Sequence, residues 1–284
     1  MSELVVVLTD IVMGESPRWN AGDARLWFAD WGAREIIACT QDGEREVILR
    51  DVGAMPLSVD WLPGGQLLVV AGRDGLLLRR EADGSLVTHA DLRSLVATPW
   101  NEIVVDGHGH IYLNNTGFDF PTAPFAPGFI ALLTPDGAVR RVADDIAFPN
   151  GMAVTPDNRT LIVAESYASR LSAFDIAADG RLANRRIWAE IPGSAPDGIC
   201  LDADGAVWYA DVPNQRCARV CEGGEILQTI ELDRGGFACM LGGADRRTLY
   251  ILANNWQGPE RMTGDARSGR LLAFDVTVPG AGWP

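Results

Sequence analysis

Four oxygen-bearing side chains stand at corresponding points of a pattern that recurs along the chain. They are Glu15, Asn101, Asn150 and Asp197, and each lies at or just before the head of a strand-like run. Carboxylate and amide oxygens are the ligands of hard cations such as Ca²⁺, Mg²⁺ and Mn²⁺. If the fold brings these side chains together, they could hold a divalent metal ion. The alternative is that they cap turns and bind channel water.

The elements that would position these side chains belong to a sixfold repeat. Each unit has a strand-like run, a turn rich in Gly, Asn and Asp, and a second apolar run, and the units start about 40 to 50 residues apart, the period of propeller blades. Four antiparallel strands per unit predict an all-β, six-bladed β-propeller whose first strands line a central channel. Equivalent positions would then form a ring at one mouth of the channel: Glu15, Leu57, Asn101, Asn150, Asp197 and Ala238.

The repeat covers nearly the whole chain, so we expect a single propeller domain over residues 1–284. The sixth unit lacks a fourth strand of its own after Phe274. The unassigned apolar run at residues 4–8 could supply that strand and close the ring. A β-sandwich, the alternative, does not need a repeat of this length.

The ends of the second strands should surround this ring, because an antiparallel strand returns to the same mouth. Asn115, Tyr167 and Trp256 stand at three of these ends and are candidates for binding a small molecule. Trp100, which precedes Asn101, is a further candidate. Glu102, on the other side of Asn101, is expected to point away from the axis if the strand alternates regularly.

Two long loops are predicted at the same mouth. Residues 117–129 contain four Phe and three Pro, a composition typical of a semi-rigid pocket wall or lid. Phe118 of this loop is therefore a candidate substrate contact. Residues 257–268 form the second loop, which could face the first.

The overall charge limits the classes of partner. The chain has 38 Asp and Glu against 24 Lys and Arg, a formal net charge of −14. An acidic surface repels phosphate, which argues against a nucleic-acid or anionic-membrane partner. No apolar run is long enough to span a membrane, the N-terminus has no basic signal-peptide region, and the five cysteines lack disulfide-framework spacing. These features predict a reduced, cytoplasmic protein.

Three motifs carry a resemblance to a known family. They are GESPRW at residues 14–19, PNGM at 149–152 and PDGICLD at 196–202. Together they resemble the SMP-30/gluconolactonase/luciferin-regenerating enzyme family. The resemblance implies a six-bladed propeller that hydrolyses lactones, and in some members organophosphates, with one divalent metal ion.

By that resemblance, Glu15, Asn150 and Asp197 are the metal ligands and Asn101 is a substrate-side contact. Ca²⁺ is the expected ion, with Zn²⁺, Mn²⁺ or Mg²⁺ as alternatives. The expected reaction is hydrolysis of a small-molecule lactone or other ester, with either Asp197 as general base or a water activated by the metal. Phosphotriester hydrolysis and non-catalytic binding of a small molecule remain the rival functions.

The sequence departs from the family at one point. Sugar lactonases of the family often carry an Arg two residues before the third-blade Asn, where it holds sugar hydroxyls. Here Pro99 occupies that position and Trp100 follows it. This departure favours a lactone with fewer hydroxyl groups than gluconolactone.

Overall fold

The computed structural model describes residues 3–258 and 266–282. Within these ranges, 24 strands form six separate four-stranded antiparallel sheets. The only helix among the described residues is the 3₁₀ turn Ser166–Ala168. No helix there is long and apolar enough to cross a membrane. The predicted all-β propeller with six blades is confirmed.

The blades follow one another along the chain, each with its inner strand first. Blades one to three comprise β2 (Gly14–Asn20), β3 (Arg25–Asp30), β4 (Glu35–Cys39) and β5 (Arg45–Leu49); β6 (Leu57–Trp61), β7 (Leu67–Ala71), β8 (Leu76–Arg80) and β9 (Leu86–Asp91); and β10 (Trp100–Val105), β11 (Ile111–Asn115), β12 (Gly128–Leu133) and β13 (Val139–Ile146).

Blades four to six comprise β14 (Pro149–Val154), β15 (Thr160–Glu165), β16 (Arg170–Ile176) and β17 (Leu182–Glu190); β18 (Pro196–Leu201), β19 (Val207–Asp211), β20 (Arg216–Val220) and β21 (Ile226–Glu231); and β22 (Gly235–Gly242), β23 (Thr248–Asn254), β24 (Gly269–Asp275) and β1 (Val5–Ile11).

The ring closes as the sequence predicts. Strand β1 pairs with β24, with Val5 opposite Ala273, and so supplies the outer strand of blade six. Each inner strand also contacts the inner strands on both sides, and β22 contacts β2 to complete the circle. The inner strands therefore surround a closed channel, and buried apolar side chains fill the spaces between the blades.

The inner strands share an irregularity near one mouth of the channel. In five of the six, the pairing with the second strand is interrupted by a β-bulge: between Glu15 and Arg18, Trp100 and Ile103, Pro149 and Met152, Pro196 and Ile199, and Gly236 and Ala238. A bulge breaks the regular alternation of faces and re-aims the side chains next to it. Each of the four oxygen-bearing side chains lies in or at the edge of such a bulge.

The two remaining ring positions differ from the four. Strand β6 pairs with β7 without interruption, and Leu57 is fully buried in the core. In blade six, Gly235 pairs with Asn254 as Gly14 pairs with Asp30 in blade one. The residue equivalent to Glu15 is therefore Gly236, so the predicted assignment of Ala238 to the ring is wrong by two positions.

Buried polar residues at the ends of the second strands anchor the loops that lead into the inner strands. Asp30 shows the arrangement, since its carboxylate accepts hydrogen bonds from the backbone N–H groups of Val12 and Met13, both at 3.0 Å. Four residues at the same position also bind backbone groups of loop segments, and with Asp30 we call them the loop-anchoring residues: Asn115, Glu165, Asp211 and Asn254. Glu165 and Asp211 accept from N–H groups as Asp30 does, whereas Asn115 and Asn254 donate to carbonyl oxygens. These buried hydrogen bonds hold the loops that lead into β2, β10, β14 and β18.

Candidate active site

A cavity of about 280 Å³ opens at the bulged mouth of the channel. The structure brings all three predicted metal ligands, Glu15, Asn150 and Asp197, to this cavity, together with Asn101. Glu15 and Asn101 are buried, while Asn150 and Asp197 are partly exposed. Four side chains that are up to 182 residues apart in sequence, from 15 to 197, therefore share one small space.

Glycines directly after two of these residues allow the blades to approach each other here. A Cβ atom on Gly151 would lie 2.6 Å from the carbonyl oxygen of Asp197, and one on Gly198 would lie 2.5 Å from Cβ of Ala238. Side chains at these positions would push the inner strands apart. The Asn-Gly and Asp-Gly pairs of the motifs thus serve close packing around the channel, which keeps Asn150 and Asp197 near each other.

Hydrogen bonds between blades three and four hold the segment that carries Asn150. The amide nitrogen of Asn101 donates to the carbonyl oxygen of Pro149 at 3.2 Å. Asn114, which is fully buried, donates to the carbonyl oxygen of Asn150 at 2.6 Å. Both bonds end on the segment that carries Asn150, so blade three holds this predicted ligand at a defined height in the channel.

Ser166 connects blade four to blade five by hydrogen bonds. Its hydroxyl donates to the carbonyl oxygen of Pro196 at 2.7 Å and accepts from the amide nitrogen of Asn150 at 3.4 Å. Ser166 thereby joins the backbone next to Asp197 to the side chain of Asn150. An amide can present either its oxygen or its nitrogen by rotation about χ2, so Asn150 can offer a carbonyl oxygen to a cation.

The carboxylates of Glu15 and Asp197 are electrostatically unfavourable as they stand. Burial raises the pKa of Glu15 well above its usual value, and the negative charges of Asp197 and Glu102 raise it further. Burial likewise raises the pKa of Asp197, with the charge of Glu102 next, while a hydrogen bond from Asn150 opposes the shift. A bound cation would relieve this repulsion, since opposite charge favours the ionised form of a carboxyl group.

The donor set fits a hard divalent cation. It consists of two carboxylates and one amide, without thiolate or imidazole. Among residues 3–258 and 266–282, no cluster of three or more His, Cys, Asp and Glu side chains is placed to hold a metal ion. The amide oxygen of Asn150 would therefore complete the protein's share of the ligands beside Glu15 and Asp197.

Glu102 also faces the channel, and the expectation that it points away is wrong. The bulge in β10 breaks the alternation between Asn101 and Glu102, so both side chains turn inward. Glu102 is buried, and its carboxylate lies 3.6 Å from Nη2 of Arg18. Burial raises the pKa of Glu102 to about 7, although the charge of Arg18 opposes this shift.

Arg18 closes the channel beneath the site. Its Nη2 donates to the carbonyl oxygen of Ile103 at 2.7 Å, a contact from blade one to blade three, and its Nε lies 3.9 Å from Oδ2 of Asp60. Burial raises the pKa of Asp60 to about 6, against the lowering effect of Arg18. The guanidinium of Arg18 thus lies next to the lower pair of carboxylates, Asp60 and Glu102.

The predicted substrate contacts divide into two groups. Tyr167 and Trp256 line the cavity, as Asn101 does. Phe118 is buried one layer behind it, where its ring packs 5.7 Å from that of Phe148. Asn115 is buried as a loop-anchoring residue, and it donates to the carbonyl oxygen of Pro99 at 3.0 Å. Asn115 therefore supports the wall of the cavity without facing it.

Trp100 is placed in the core rather than in the cavity. Its side chain is fully buried between blades two and three, and its ring meets that of Phe129 edge-on at 5.4 Å. The residue precedes the bulge and pairs regularly with Asn115, so its side chain points away from Asn101. The prediction that Trp100 contacts substrate is corrected accordingly.

We expect Trp100→Phe to leave kcat/KM unchanged, because the ring contacts only core residues. The larger cavity left by Trp100→Ala should lower the free energy of unfolding by about 3–5 kcal/mol. Chemical denaturation of both variants, with activity measured in parallel, tests this. Loss of activity in a fully stable Trp100→Phe protein would return Trp100 to the site.

Two aromatic residues of the cavity were not predicted from the sequence. Phe148 and Phe237 line the cavity, as do Arg73 and Phe120, which lie at a second-strand end and in the predicted wall loop. Phe148 directly precedes the PNGM motif, and Phe237 sits in the bulge of blade six, so alignment of the bulges would have indicated both. Residues 259–265 of the second predicted loop lie outside the described residues, and the expectation that this loop faces the first stays a prediction.

Similarity to known proteins identifies the family of this chain. A model of the SMP-30/Gluconolactonase/LRE-like region matches residues 13–255. The chain belongs to this family. Among similar family proteins, regucalcin of Gallus gallus is 27% identical over 276 residues, covering 93% of this chain and 90% of that protein. The 6-deoxy-6-sulfogluconolactonase of Pseudomonas putida is 26% identical over 289 residues, covering 98% and 96%.

Solved structures of the family have the same fold. A calcium-binding protein, regucalcin, from Agrobacterium tumefaciens superimposes with a TM-score of 0.81 at 21% identity, covering 98% of this chain and 95% of that one. At this identity the likeness concerns the architecture. The matched region, residues 13–255, spans all three motifs on which the resemblance rests.

Proposed function

We propose that this protein is a divalent-metal-dependent hydrolase that opens the ring of a small-molecule lactone. The observation that carries the proposal is the pair of carboxylates, Glu15 and Asp197, which share one cavity with the amide of Asn150 and whose pKa values burial raises. A protein keeps such a pair when the pair has a ligand, because uncompensated buried charge is costly. Membership of a family with lactonase members supports the reaction class.

The residues at the base of the cavity have separate roles in hydrolysis. Glu15, Asn150 and Asp197 would hold the cation, which when bound polarises the lactone carbonyl and stabilises the negative charge that develops on its oxygen. Asp197 accepts a proton from the attacking water. The oxygen of that water bonds to the carbonyl carbon, the ring C–O bond breaks, and the leaving alkoxide takes up the proton that Asp197 accepted. The product is a hydroxy acid.

Ca²⁺ is the cation that we propose. The cavity base offers carboxylate and amide oxygens, the donors that Ca²⁺ prefers, and among the described residues no Cys or His lines the cavity. The name of the Agrobacterium tumefaciens relative, a calcium-binding protein, supports this choice. Zn²⁺, Mn²⁺ and Mg²⁺ are the alternatives for the same oxygen ligands.

The cavity walls favour a substrate with fewer hydroxyl groups than gluconolactone. Pro99 lines the cavity and has no side-chain hydrogen-bonding group. Trp31 also lines it, but its indole N–H already donates to the carbonyl oxygen of Leu57 at 2.5 Å. Neither Pro99 nor Trp31 therefore offers a free donor to a sugar hydroxyl, which disfavours binding of hydroxyls against these two residues.

We expect metal-depleted protein to hydrolyse lactones only after Ca²⁺, Mn²⁺ or Zn²⁺ is restored, and metal binding to release protons. Burial raises the pKa values of Glu15 and Asp197, and a bound cation would favour their ionised forms, so that binding is coupled to loss of protons. Affinity for Ca²⁺ should therefore rise with pH. Titration calorimetry at pH 6, in two buffers of different ionisation enthalpy, measures the released protons.

Two results would contradict the proposal. Turnover that is unchanged after complete chelation would remove the metal from the reaction. Tight metal binding without turnover of any lactone, from sugar lactones to alkyl and aryl lactones, would instead indicate a non-catalytic binding propeller.

A further inference from the structure

One side of the cavity is built almost entirely from aromatic rings. We call it the aromatic wall, and it consists of Phe118, Phe120, Phe125, Phe148 and Tyr167. The rings of Phe148 and Tyr167 stack at 4.7 Å with an interplanar angle of 23°, and the ring of Phe120 meets that of Phe148 edge-on at 5.1 Å. Phe120, Phe148 and Tyr167 line the cavity directly.

The backbone under the wall is held in an unusual conformation. Phe148 has φ 59°, a left-handed conformation that a bulky residue rarely adopts. The backbone N–H of its neighbour Ala147 is bound by the buried carboxylate of Glu165 at 2.8 Å. Backbone strain of this kind persists where the surrounding structure enforces it, and it is concentrated at functional sites. Here it carries the Phe148 ring into the cavity lining.

Blade two also fixes the wall. Arg73 donates from Nη1 to the carboxylate of Asp119 at 2.7 Å and from Nη2 to the carbonyl oxygen of Phe120 at 3.2 Å. At the start of the same loop, Thr116 donates to the carbonyl oxygen of Phe118 at 2.9 Å. The polar groups of Arg73 and Thr116, both of which line the cavity, are thus engaged with the loop itself.

The cavity is therefore divided by chemistry. Its base carries the oxygen ligands, beside which the lactone carbonyl would lie, and one flank offers aromatic faces and edges to a substituent of the lactone ring. Aromatic rings prefer offset-stacked or edge-to-face contact with other rings, which adds to the gain from burying their apolar area. Three rings that line the cavity, with two more packed against them, match an aryl group better than a chain of hydroxyls.

We infer that the substrates of this site are lactones that carry an aryl substituent, with the aryl group seated on the aromatic wall. This inference rests on the proposed lactonase function and narrows its substrate class. Tyr167 and Phe148 are the specificity-determining contacts. Arg73 is a positioning residue, which acts through the loop that it holds.

The test compares two substrates with the same ring and the same type of leaving alkoxide: γ-phenyl-γ-butyrolactone and γ-methyl-γ-butyrolactone. Rates are divided by those of alkaline hydrolysis to remove intrinsic reactivity. We expect wild-type kcat/KM to favour the phenyl compound by about tenfold or more, the range that an apolar pocket provides. Tyr167→Ala should remove most of this preference. Arg73→Gln should raise KM for the phenyl compound while kcat changes little.

Ile187→Ala is the matched control, because Ile187 on β17 is 52% exposed and Tyr167 is 53% exposed. The control should retain the phenyl preference. Equal use of both compounds by the wild type, or better use of δ-gluconolactone, would overturn the inference and leave the lactonase function standing. Retention of the phenyl preference in Tyr167→Ala would also overturn it. Absence of turnover on every lactone would overturn both.

Discussion

Asp197→Asn should lose lactonase activity while the propeller remains folded. The substitution keeps the size of the side chain but removes the charge that would hold the cation and the base that would take the proton. Loss of a general base alone lowers the rate by about 10²–10⁴-fold. Loss of a metal ligand adds to this, so kcat/KM should fall at least that far.

The same substitution, which lowers activity, should not lower the stability of the metal-free protein. Burial and the neighbouring charges raise the pKa of Asp197 in the metal-free protein, so its ionised form destabilises the fold as the pH rises through the unfolded value of 3.8. Removal of the charge removes this penalty. At pH 8 and without metal, Asp197→Asn should be at least as stable as the wild type, as measured by the free energy of unfolding in denaturant.

A second carboxylate of blade five provides the control. Asp204 lies in the turn between β18 and β19, at the other end of the blade, and its side chain is 66% exposed. Asp204→Asn should leave activity unchanged. Calorimetry of Asp197→Asn separates the two roles of Asp197. Retained Ca²⁺ affinity without turnover would indicate that Asp197 is the base. Loss of both Ca²⁺ affinity and turnover would indicate that it is a metal ligand. Near-normal activity of Asp197→Asn would exclude both roles.

The architecture could be predicted because it repeats. Six copies of one pattern reveal the blades, and the missing strand after Phe274 indicates that the N-terminal run closes the ring. The convergence of Glu15, Asn101, Asn150 and Asp197 follows from the same repeat, since equivalent positions in a closed ring face one axis. Periodicity of this kind is a property of the sequence itself.

The predictions that were wrong concern side chains next to a local break in the repeat. A regular strand alternates its faces, and this rule placed Glu102 outside the channel, whereas the bulge in β10 turns it inward. Trp100 was proposed as a substrate contact because it precedes Asn101, but it pairs regularly before the bulge and its side chain lies in the core. Apolar packing against Phe129 adds to this outcome. Sequence pattern does not reveal a bulge that contains no glycine, and β10 has none.

The loop-anchoring residues were found at the right place but given the wrong role. Their polar character at strand ends suggested a ring around the substrate. Asn115 and Glu165 instead satisfy buried backbone groups, and the residues that follow Glu165, Ser166 and Tyr167, line the cavity. A polar side chain at the end of a strand looks the same in sequence whether it binds the protein's own backbone or a ligand.

Glu165→Gln should cause a large loss of stability, although the substitution keeps the size of the side chain. The carboxylate is fully buried and accepts hydrogen bonds from Arg170 at 3.0 and 3.1 Å, from Arg185 at 2.8 Å and from the backbone of Ala147 at 2.8 Å. Burial alone would raise its pKa, but these bonds and one from Ser172 outweigh burial and lower the pKa to about 2.

The pH dependence identifies the cause. A folded pKa of about 2, against an ordinary value of 4.5, corresponds to about 3 kcal/mol of stability that is present above pH 4.5 and is lost as the pH falls towards 2. Glu165→Gln should therefore be less stable than the wild type by about 2–3 kcal/mol at pH 7, since both arginines keep some solvent contact. Below pH 4.5 the difference should shrink.

The matched control is Asp175→Asn on the same blade. Asp175 also accepts from an Arg and an amide, Arg186 and Asn184, but its side chain is 48% exposed, so we expect little change. Urea denaturation from pH 7 to pH 3 measures all three proteins. A constant deficit of Glu165→Gln over this range would mean that altered packing, and not loss of the charge, is responsible. A deficit that narrows with acid would show that the ionised carboxylate of Glu165, next to Ser166 and Tyr167 of the cavity lining, stabilises blade four.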